Sequence, residues 1–350
     1  MDQPFVTGFV ETPAGKAPRV ESKLSLPDLL GGWKVRWGIG RTNYKVDPGL
    51  YALGRPHADS PVLVSANFKM SFDRLRNSFG PDESAWILVL DTQGINVWCA
   101  AGKGTFGTEE LAERIKSSGL AGVVKHRRVI VPQLGAPGVS AREVLKMSGF
   151  RVVYGPVRAE DLPEFLDAGM KARPGMRIKT FGIAERMALI PVELVHAMKT
   201  FLAVLPFLFI LGGFSGHGGY LRHAFGFGGV SALGLLTAIV AGCVLTPLLL
   251  PWLPGRAFSL KGVWAAIACT PLFLLLRNAL WRLHPAGSFE TAAWILVIPA
   301  VSAYLAMNFT GCSTFTSLSG VKKEMKWAVP AQIAAAALGT VLWVVSIFAG

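Results

Sequence analysis

Cysteine is scarce in this sequence, and its spacing excludes several chemistries. The four cysteines are Cys99, Cys243, Cys269 and Cys312. No Cys-x-x-Cys occurs, so neither a zinc site nor an iron–sulfur cluster can be assembled from local spacing. Charge is scarce as well. Only 16% of the 350 residues are charged, against 51% hydrophobic, and the mean hydropathy is +0.44. That is too apolar for an ordinary soluble protein and points to membrane spans. Nucleotide and hydrolase signatures are also missing. Gly102-Lys103-Gly104-Thr105 holds a Gly-Lys pair without the full phosphate-loop pattern, and neither His-Glu-x-x-His nor Gly-x-Ser-x-Gly is found. The net charge of +13 does not indicate nucleic acid. No basic-aromatic recognition module accompanies it, and basic loops beside membrane spans account for it. Met1 to Val6 lack a basic segment followed by an apolar core, so no cleaved signal peptide is predicted.

What is present divides into a leader, an α/β pattern, a basic linker and a run of apolar stretches. Residues 1–60 are rich in Gly and Pro. Their segments Asp28 to Arg36 and Pro48 to Tyr51 read as turns and short extended pieces, an irregular arm wrapped on the following domain. From residue 61 to 170 strands alternate with helices. Pro61 to Ala66 reads as a strand, with a helix over Ser71 to Phe79. Ala85 to Leu90 reads as a second strand, followed by a short helix after Asn96. Thr108 is placed to cap a helix carrying Leu111 and Ile115. Arg128 to Val131 forms a third strand, and Ser140 with Glu143 opens a helix as in a capping box. Phe150 to Tyr154 is the fourth strand, with a helix from about Asp161 to Gly169. This alternation predicts a parallel sheet in a Rossmann-like layer. The loops after the strands fall on one edge: Ser65-Ala66-Asn67, the short helix, Pro132 to Gly138, and Tyr154-Gly155-Pro156. Small, Gly/Pro-rich and polar, they suit ordinary βα turns or the floor under a large flat ring.

The octapeptide Asn96-Val97-Trp98-Cys99-Ala100-Ala101-Gly102-Lys103 organises the domain. Asn96 is a good helix N-cap, which makes Cys99 the third helical residue. There the first-turn amides and the helix dipole favour negative charge on sulfur. Lys103 lies four residues on, on the same helical face. A lone cysteine in such a place also serves as a small buried hydrophobe, so local capping alone leaves its role open.

Residues 171–198 are basic, and Ile183 to Met198 mixes apolar with charged residues, as an inert linker or a membrane-surface segment does. Apolar stretches follow at roughly 199–214, 228–253, 262–281, 290–309 and 328–349. They predict an all-α domain over 199–350 with five transmembrane helices. With the N-terminal domain inside, the cytoplasmic loops would hold Arg256 and Lys261, then Lys322, Lys323 and Lys326. The opposite loops would hold Arg222, Arg277 and Arg282. The reading is a multi-pass protein of the cytoplasmic membrane, in contact with lipid, its soluble domain in the cytoplasm. The spans carry almost no interior charge, so no ion path is written in them. His217, His223 and His284 would be interfacial on the far side.

The octapeptide resembles, without a departure, the cap-helix signature Asn-(Val/Ile)-Trp-Cys-Ala-(Ala/Gly)-Gly-Lys of the mercury-methylating corrinoid proteins (the HgcA family). Trp33, Arg36, Arg41, Tyr44 and Pro48 to Tyr51 resemble the segment leading into the corrinoid domain of the acetyl-CoA-pathway corrinoid iron–sulfur protein. The resemblance covers leader, corrinoid domain and a five-span C-terminal domain. It implies a base-off, cobalamin-like corrinoid with Cys99 as the catalytic residue and lower axial ligand to cobalt. The floor would be Ser65, Asn67, Asn96, Val97, Trp98, Ala100, Ala101, Gly102, Lys103, Pro132, Gln133, Gly135, Tyr154, Gly155 and Pro156. It implies a methyltransferase that passes a methyl group from cobalt to Hg(II). Its implied partners are a ferredoxin-like protein with two 4Fe–4S clusters and a folate-dependent methyl-donating system. An electron-rich thiolate opposite the methyl group would support carbanion-like delivery to a soft cation. The alternative is a membrane-anchored corrinoid methyl carrier or sensor of one-carbon metabolism. Acetyl-CoA-pathway carriers lack the Trp-Cys cap and carry their own cluster cysteines, the reverse of this chain. The Asp-x-His-x-x-Gly loop of many other cobalamin domains is absent. His57 and His126 are isolated, His126 in the basic turn Lys125 to Arg128, which leaves Cys99 as the candidate for the metal.

Overall fold

A computed structural model describes residues 3–215, 219–281 and 287–348. His217, Arg282 and His284 lie outside the described residues, as does the side chain of Cys312. The chain forms two compact units, Met1–Lys179 and Thr180–Gly350.

The first unit is built on one seven-stranded mixed sheet. In chain order its elements are β1 (Val6–Thr12), β2 (Gly15–Val20), α1 (Leu26–Arg36), β3 (Gly49–Leu53), β4 (Val62–Ala66), α2 (Lys69–Arg76) and β5 (Ala85–Leu90). Then come α3 (Val97–Lys103), α4 (Thr108–Ser117), α5 (Leu120–Val123), β6 (Arg128–Val131), α6 (Ala141–Ser148), β7 (Arg151–Tyr154) and α7 (Leu162–Asp167). The strand order is β1-β2-β3-β5-β4-β6-β7. β5, β4, β6 and β7 run parallel, with Val64 opposite Leu88 and Ile130 opposite Val153. This parallel part has the 2-1-3-4 order of doubly wound sheets. Its inward side chains alternate between faces. Trp86, Leu88 and Leu90 face a core shared with Leu111, Phe106 and Val144. Ile87 and Val89 face the opposite core with Phe72, Leu75 and Phe165. Helices therefore cover both faces, and β4 and β5 are buried along their whole length.

The first sixty residues are not an irregular arm. β1 and β2 form an antiparallel hairpin, β2 pairs parallel with β3, and β3 pairs antiparallel with β5. Three strands thus extend the sheet beyond the region where the α/β alternation is visible. Asp28 to Arg36 is helical, started by a capping box between Ser25 and Asp28. The Asp28 carboxylate then accepts from Lys69 Nζ at 2.6 Å and Arg76 Nη2 at 2.7 Å. Asp73 accepts from the same Lys69 at 2.7 Å and from Arg76 Nε at 2.9 Å. All four side chains are buried. This ion network, charged on both sides and fully hydrogen-bonded, locks α1 against α2. Burial raises the Asp28 pKa, but the hydrogen bonds from Lys69, Ser25 and Arg76 outweigh it and hold the carboxyl below its ordinary range.

The second unit contains α8 (Ile183–Met187), α9 (Ile190–Gly212), α10 (Tyr220–Ile239), α11 (Thr246–Leu249), α12 (Phe258–Leu280), α13 (Ser288–Met307) and α14 (Leu318–Phe348), with a π-helical turn joining α10 to α11. Among the described residues, five helical segments in it are long and apolar enough to cross a membrane. Their bounds correct the apolar stretches. α9 begins at Ile190, so residues 190–198 form its first turns, while the basic residues from Lys171 to Arg186 precede it. Lys322, Lys323 and Lys326 lie on α14, not in a loop. A helix does not stop where its hydrophobic stretch stops, because its hydrogen bonds are made along the backbone. Lys261 is no loop cation either: it is buried in α12, and its Nζ donates to Leu250 O at 2.7 Å and Leu253 O at 2.5 Å. Glu324 Oε1 accepts from Ser259 N at 2.6 Å, a side-chain cap supplied from a distant helix. The spans also hold an interior charge pair. Arg277 Nη2 lies 2.7 Å from Glu290 Oε2, and both side chains are buried.

Candidate functional site

The site is the edge at the C-terminal ends of the parallel strands, and α3 dominates it. β5 delivers the chain into Asp91-Thr92-Gln93-Gly94, where Gln93 and Gly94 take left-handed backbone angles (φ 59° and 75°) and turn it back over the sheet edge. Asn96 then caps α3 in extended conformation, its side chain accepting from Cys99 N at 2.9 Å. Cys99 is the third residue of the helix, as the sequence predicts. It is a free thiol, half-buried. Ala100 and Ala101 anchor the following turn in the core, and Gly104 ends the helix at φ 84°. Gly102 and Lys103 are exposed.

The turn before α3 is held by Asn67, at the end of β4. Its Oδ1 accepts from Thr92 N at 3.1 Å, Thr92 Oγ1 at 2.8 Å and Gly94 N at 2.8 Å. Its Nδ2 donates to Asp91 Oδ1 at 3.1 Å. Asn67 is buried. It positions the cap helix from beneath rather than lying on an open floor. Ser65 is likewise buried, its hydroxyl donating to Ala66 O at 3.3 Å.

The loop after β6 packs against α3. A Cβ on Gly138 would sit 2.2 Å from Phe106 O and 3.1 Å from Ala101 Cα, so only glycine lets the loop approach this closely. Thr108 closes the same contact. It does not cap α4, whose N-cap is Gly107; its hydroxyl instead accepts from Ser140 N at 2.9 Å. Ser140 caps α6 by accepting from Glu143 N at 3.4 Å. The loops after β6 and β7 are tied by Gln133 N donating to Pro156 O at 3.3 Å and Tyr154 Oη donating to Val139 O at 2.6 Å. Gln133 Oε1 accepts from Arg177 Nη1 at 2.6 Å.

The predicted site residues thus fall into two layers. Asn96, Val97, Trp98, Cys99, Gly102, Lys103, Pro132, Gln133 and Tyr154 reach the surface of this edge. Ser65, Asn67, Ala100, Ala101, Gly135, Gly155 and Pro156 lie beneath it and shape it. The deep layer was partly illegible because burial of a polar side chain is decided by distant partners. A hollow of about 340 Å³ opens elsewhere, where β4, β5 and β6 begin, lined by Val62, Ser84, His126 and Arg128 among others. His126 is engaged there, Nε2 with Ser60 O at 2.9 Å and Nδ1 with Arg128 N at 3.3 Å.

The donor set at the α3 edge restricts what it can hold. Among the described residues no group of three or more His, Cys, Asp and Glu side chains is placed to hold a metal ion. One half-buried thiol on a capped helix can supply one ligand to a metal. That fits a metal carried in its own macrocycle and does not fit a protein-built zinc or iron–sulfur centre. Half-buried Ile95, Val97, Trp98, Pro132, Gln133 and Leu134 provide a surface of mixed apolar and polar character for such a ring.

Comparison with known proteins gives this edge a relation. Residues 37–166 match the family described as CO dehydrogenase/acetyl-CoA synthase delta subunit. The acetyl-CoA decarbonylase/synthase complex subunit gamma of Methanopyrus kandleri is 33% identical over 128 residues, 36% of this chain and 27% of that protein. The corresponding subunit of Methanothermobacter thermautotrophicus is 32% identical over 123 residues, 35% of this chain and 26% of that protein. The chain thus spans about a quarter of the length of these relatives, and the helices α8 to α14 lie outside the matched segment. Within residues 37–166, which hold β3 to β7, the cap helix and Cys99, this chain is similar to subunits of the acetyl-CoA synthase and decarbonylase complexes.

Proposed function

We propose that this chain is a membrane-anchored corrinoid protein that carries a methyl group for one-carbon metabolism. The observation that carries the reading is Cys99: a half-buried thiol, on a helix capped by Asn96, at the ligand-binding edge of a doubly wound sheet, inside the segment similar to the acetyl-CoA decarbonylase/synthase subunits. A bound corrinoid would supply a cobalt centre that takes up and releases methyl groups. Cys99 Sγ would be the protein's ligand to that cobalt. Asn96 fixes the first turn that presents the sulfur, and Asn67 fixes the turn before it. The Gln133–Gly138 loop and Tyr154 close the rim. A low-potential reductant, of the ferredoxin type with two 4Fe–4S clusters, and a folate-dependent methyl donor would be separate proteins. The soluble unit would face the cytoplasm, on the inner side of the cytoplasmic membrane.

A second reading makes Hg(II) the methyl acceptor and the chain a methyltransferase that forms methylmercury. The full match of Asn96 to Lys103 to the cap signature of mercury-methylating corrinoid proteins supports it. In this reading the bound corrinoid would supply a methyl group that a soft cation can accept, and Cys99 would be the protein ligand that tunes the cobalt.

The test is spectroscopic, on the full chain in detergent loaded with cobalamin, wild type against Cys99→Ala. A base-off spectrum with a sulfur-ligation signature that disappears in the variant is the expected result. Identical spectra would remove the thiolate role, and no binding to the folded protein would remove the corrinoid reading. With methylcobalamin loaded in place of cobalamin, methyl transfer to added Hg(II) that is faster from the wild type than from Cys99→Ala supports the second reading, and equal rates leave the carrier reading.

A further inference from the structure

Helix α1 is inside out. Its one carboxylate, Asp28, and Val35 are buried against the domain, while Leu26, Leu29, Leu30 and Trp33 face outward at 67%, 56%, 49% and 57% exposure. At 3.6 residues per turn these four side chains form one stripe, and Trp37 continues it. The Trp33 and Trp37 rings stand 6.0 Å apart. Lys34 and Arg36 fall on the two borders of the stripe. From Lys23 to Lys45 the ionisable groups other than Tyr44 are Lys23, Asp28, Lys34, Arg36, Arg41 and Lys45. Asp28 is neutralised internally by Lys69 and Arg76. The outer side of this segment is therefore purely cationic around an apolar centre. Its orientation is enforced, because turning the leucines inward would expose the Asp28 network and break it.

We propose that α1 is a membrane-docking helix, lying in the interface of the same bilayer that the chain's own helices span. Leu26, Leu29, Leu30 and Trp33 would enter the boundary between headgroups and acyl chains. Lys34, Arg36 and the flanking cations would meet anionic lipid phosphates. Charge selects the occupant: an apolar stripe with basic borders and no free carboxylate complements an anionic leaflet. Tethering supports it, since the first unit ends at Lys179 and the first long apolar segment starts at Ile183, which keeps lipid at high effective concentration. The docking helix would also bear on the site. Tyr44 Oη donates to Asp28 O at 3.3 Å, and Val46 N donates to Asn67 O at 2.9 Å, so the segment after α1 adjoins the residue that holds the cap-helix turn. The inference rests on reading the apolar helices as membrane spans and is independent of the corrinoid.

The test uses the full chain in nanodiscs, one chain per disc, with photoreactive benzoylphenylalanine replacing Leu30. In discs of phosphatidylcholine mixed with phosphatidylglycerol, mass spectrometry is expected to find lipid adducts at this position. Below saturation the yield falls about fivefold for each basic residue removed, as in Lys34→Ala and Lys23→Ala. It falls again in phosphatidylcholine alone. Trp33→Glu, at an exposed position that leaves the fold intact, abolishes the adduct. Adducts to protein instead of lipid, equal yields in both lipids, or no adduct would overturn the proposal. Failure of the chain to enter discs would overturn the membrane reading and the docking with it, while leaving the cobalamin spectra of the detergent-solubilised chain as a separate result.

Discussion

Replacing Asn67 by alanine tests how the cap helix is positioned. Three groups point at Asn67 Oδ1, but they are not equally dependent on it. Thr92 Oγ1 has one proton, and it also lies 2.7 Å from Ile95 O, so the hydroxyl keeps a partner when Asn67 is shortened. Thr92 N and Gly94 N have no second acceptor of this quality. Thr92 is fully buried, so its amide would be left without water at a cost of about 1–3 kcal/mol. Gly94 is half-buried and can turn to solvent, losing about 0.5–1.5 kcal/mol. Asp91 keeps the bond from Gln93 N. The sum is about 1.5–4.5 kcal/mol, concentrated in the turn that delivers α3. Amide hydrogen exchange of the full chain in detergent is the direct assay. The amides of Thr92, Gly94 and Cys99 should exchange at least tenfold faster in Asn67→Ala, at about 1.4 kcal/mol per decade, while those of β6 and β7 change little. Unchanged exchange at these three amides would refute the view that Asn67 positions the cap helix.

Further outcomes follow from the same geometry. Gly138→Ala forces a Cβ to within 2.2 Å of the Phe106 carbonyl oxygen, a backbone atom that cannot swing aside. The loop at 132–138 must move off α3, and maleimide labelling of Cys99 should speed up relative to wild type; an unchanged rate would show that loop and helix are uncoupled. Asp28 has a folded-state pKa below its unfolded value, so its contribution to stability is complete above about pH 4 and is lost as the pH falls through the folded value. The resistance of the first unit to urea, measured within the full chain, should weaken from about pH 4 downward. In Asp28→Asn that slope should be smaller by up to about 1.4 kcal/mol per pH unit; equal slopes would remove Asp28 from the acid response. Arg277→Met leaves Glu290 buried without its cation and should destabilise the helical unit by about 3–5 kcal/mol, while Arg277→Met with Glu290→Leu should recover most of it. A double variant as unstable as the single one would show that the pair contributes through more than its charge.

Much of the candidate site is written in adjacent residues. The N-cap of Asn96 and the third-position cysteine depend on interactions within one helical turn, and each stands where the sequence places it. The strands β4 to β7 are legible for a similar reason: each is a short apolar run bounded by turn residues. β1 and β2 were not, because strands that mix polar, exposed residues with apolar ones form only once a hairpin partner is beside them. Lys69, Asp73 and Arg76 carry a visible i, i+4 and i, i+3 charge pattern on one helix. Their fourth member, Asp28, is forty-one residues from Lys69 and only the fold identifies it.

The same division holds for the whole protein. Sequence alone determined the local decisions: a capped cysteine helix after a buried strand, an α/β succession, and apolar stretches of membrane length. These depend on contacts between neighbours and on composition. Tertiary structure decided which polar groups are buried together. It placed Asn67 under the turn before α3, turned the leucines of α1 outward by drawing Asp28 in, and set Arg277 against Glu290 inside an apolar unit. A polar side chain's burial is set by whether distant chain segments bring it a partner, and that information is not carried by its own neighbourhood.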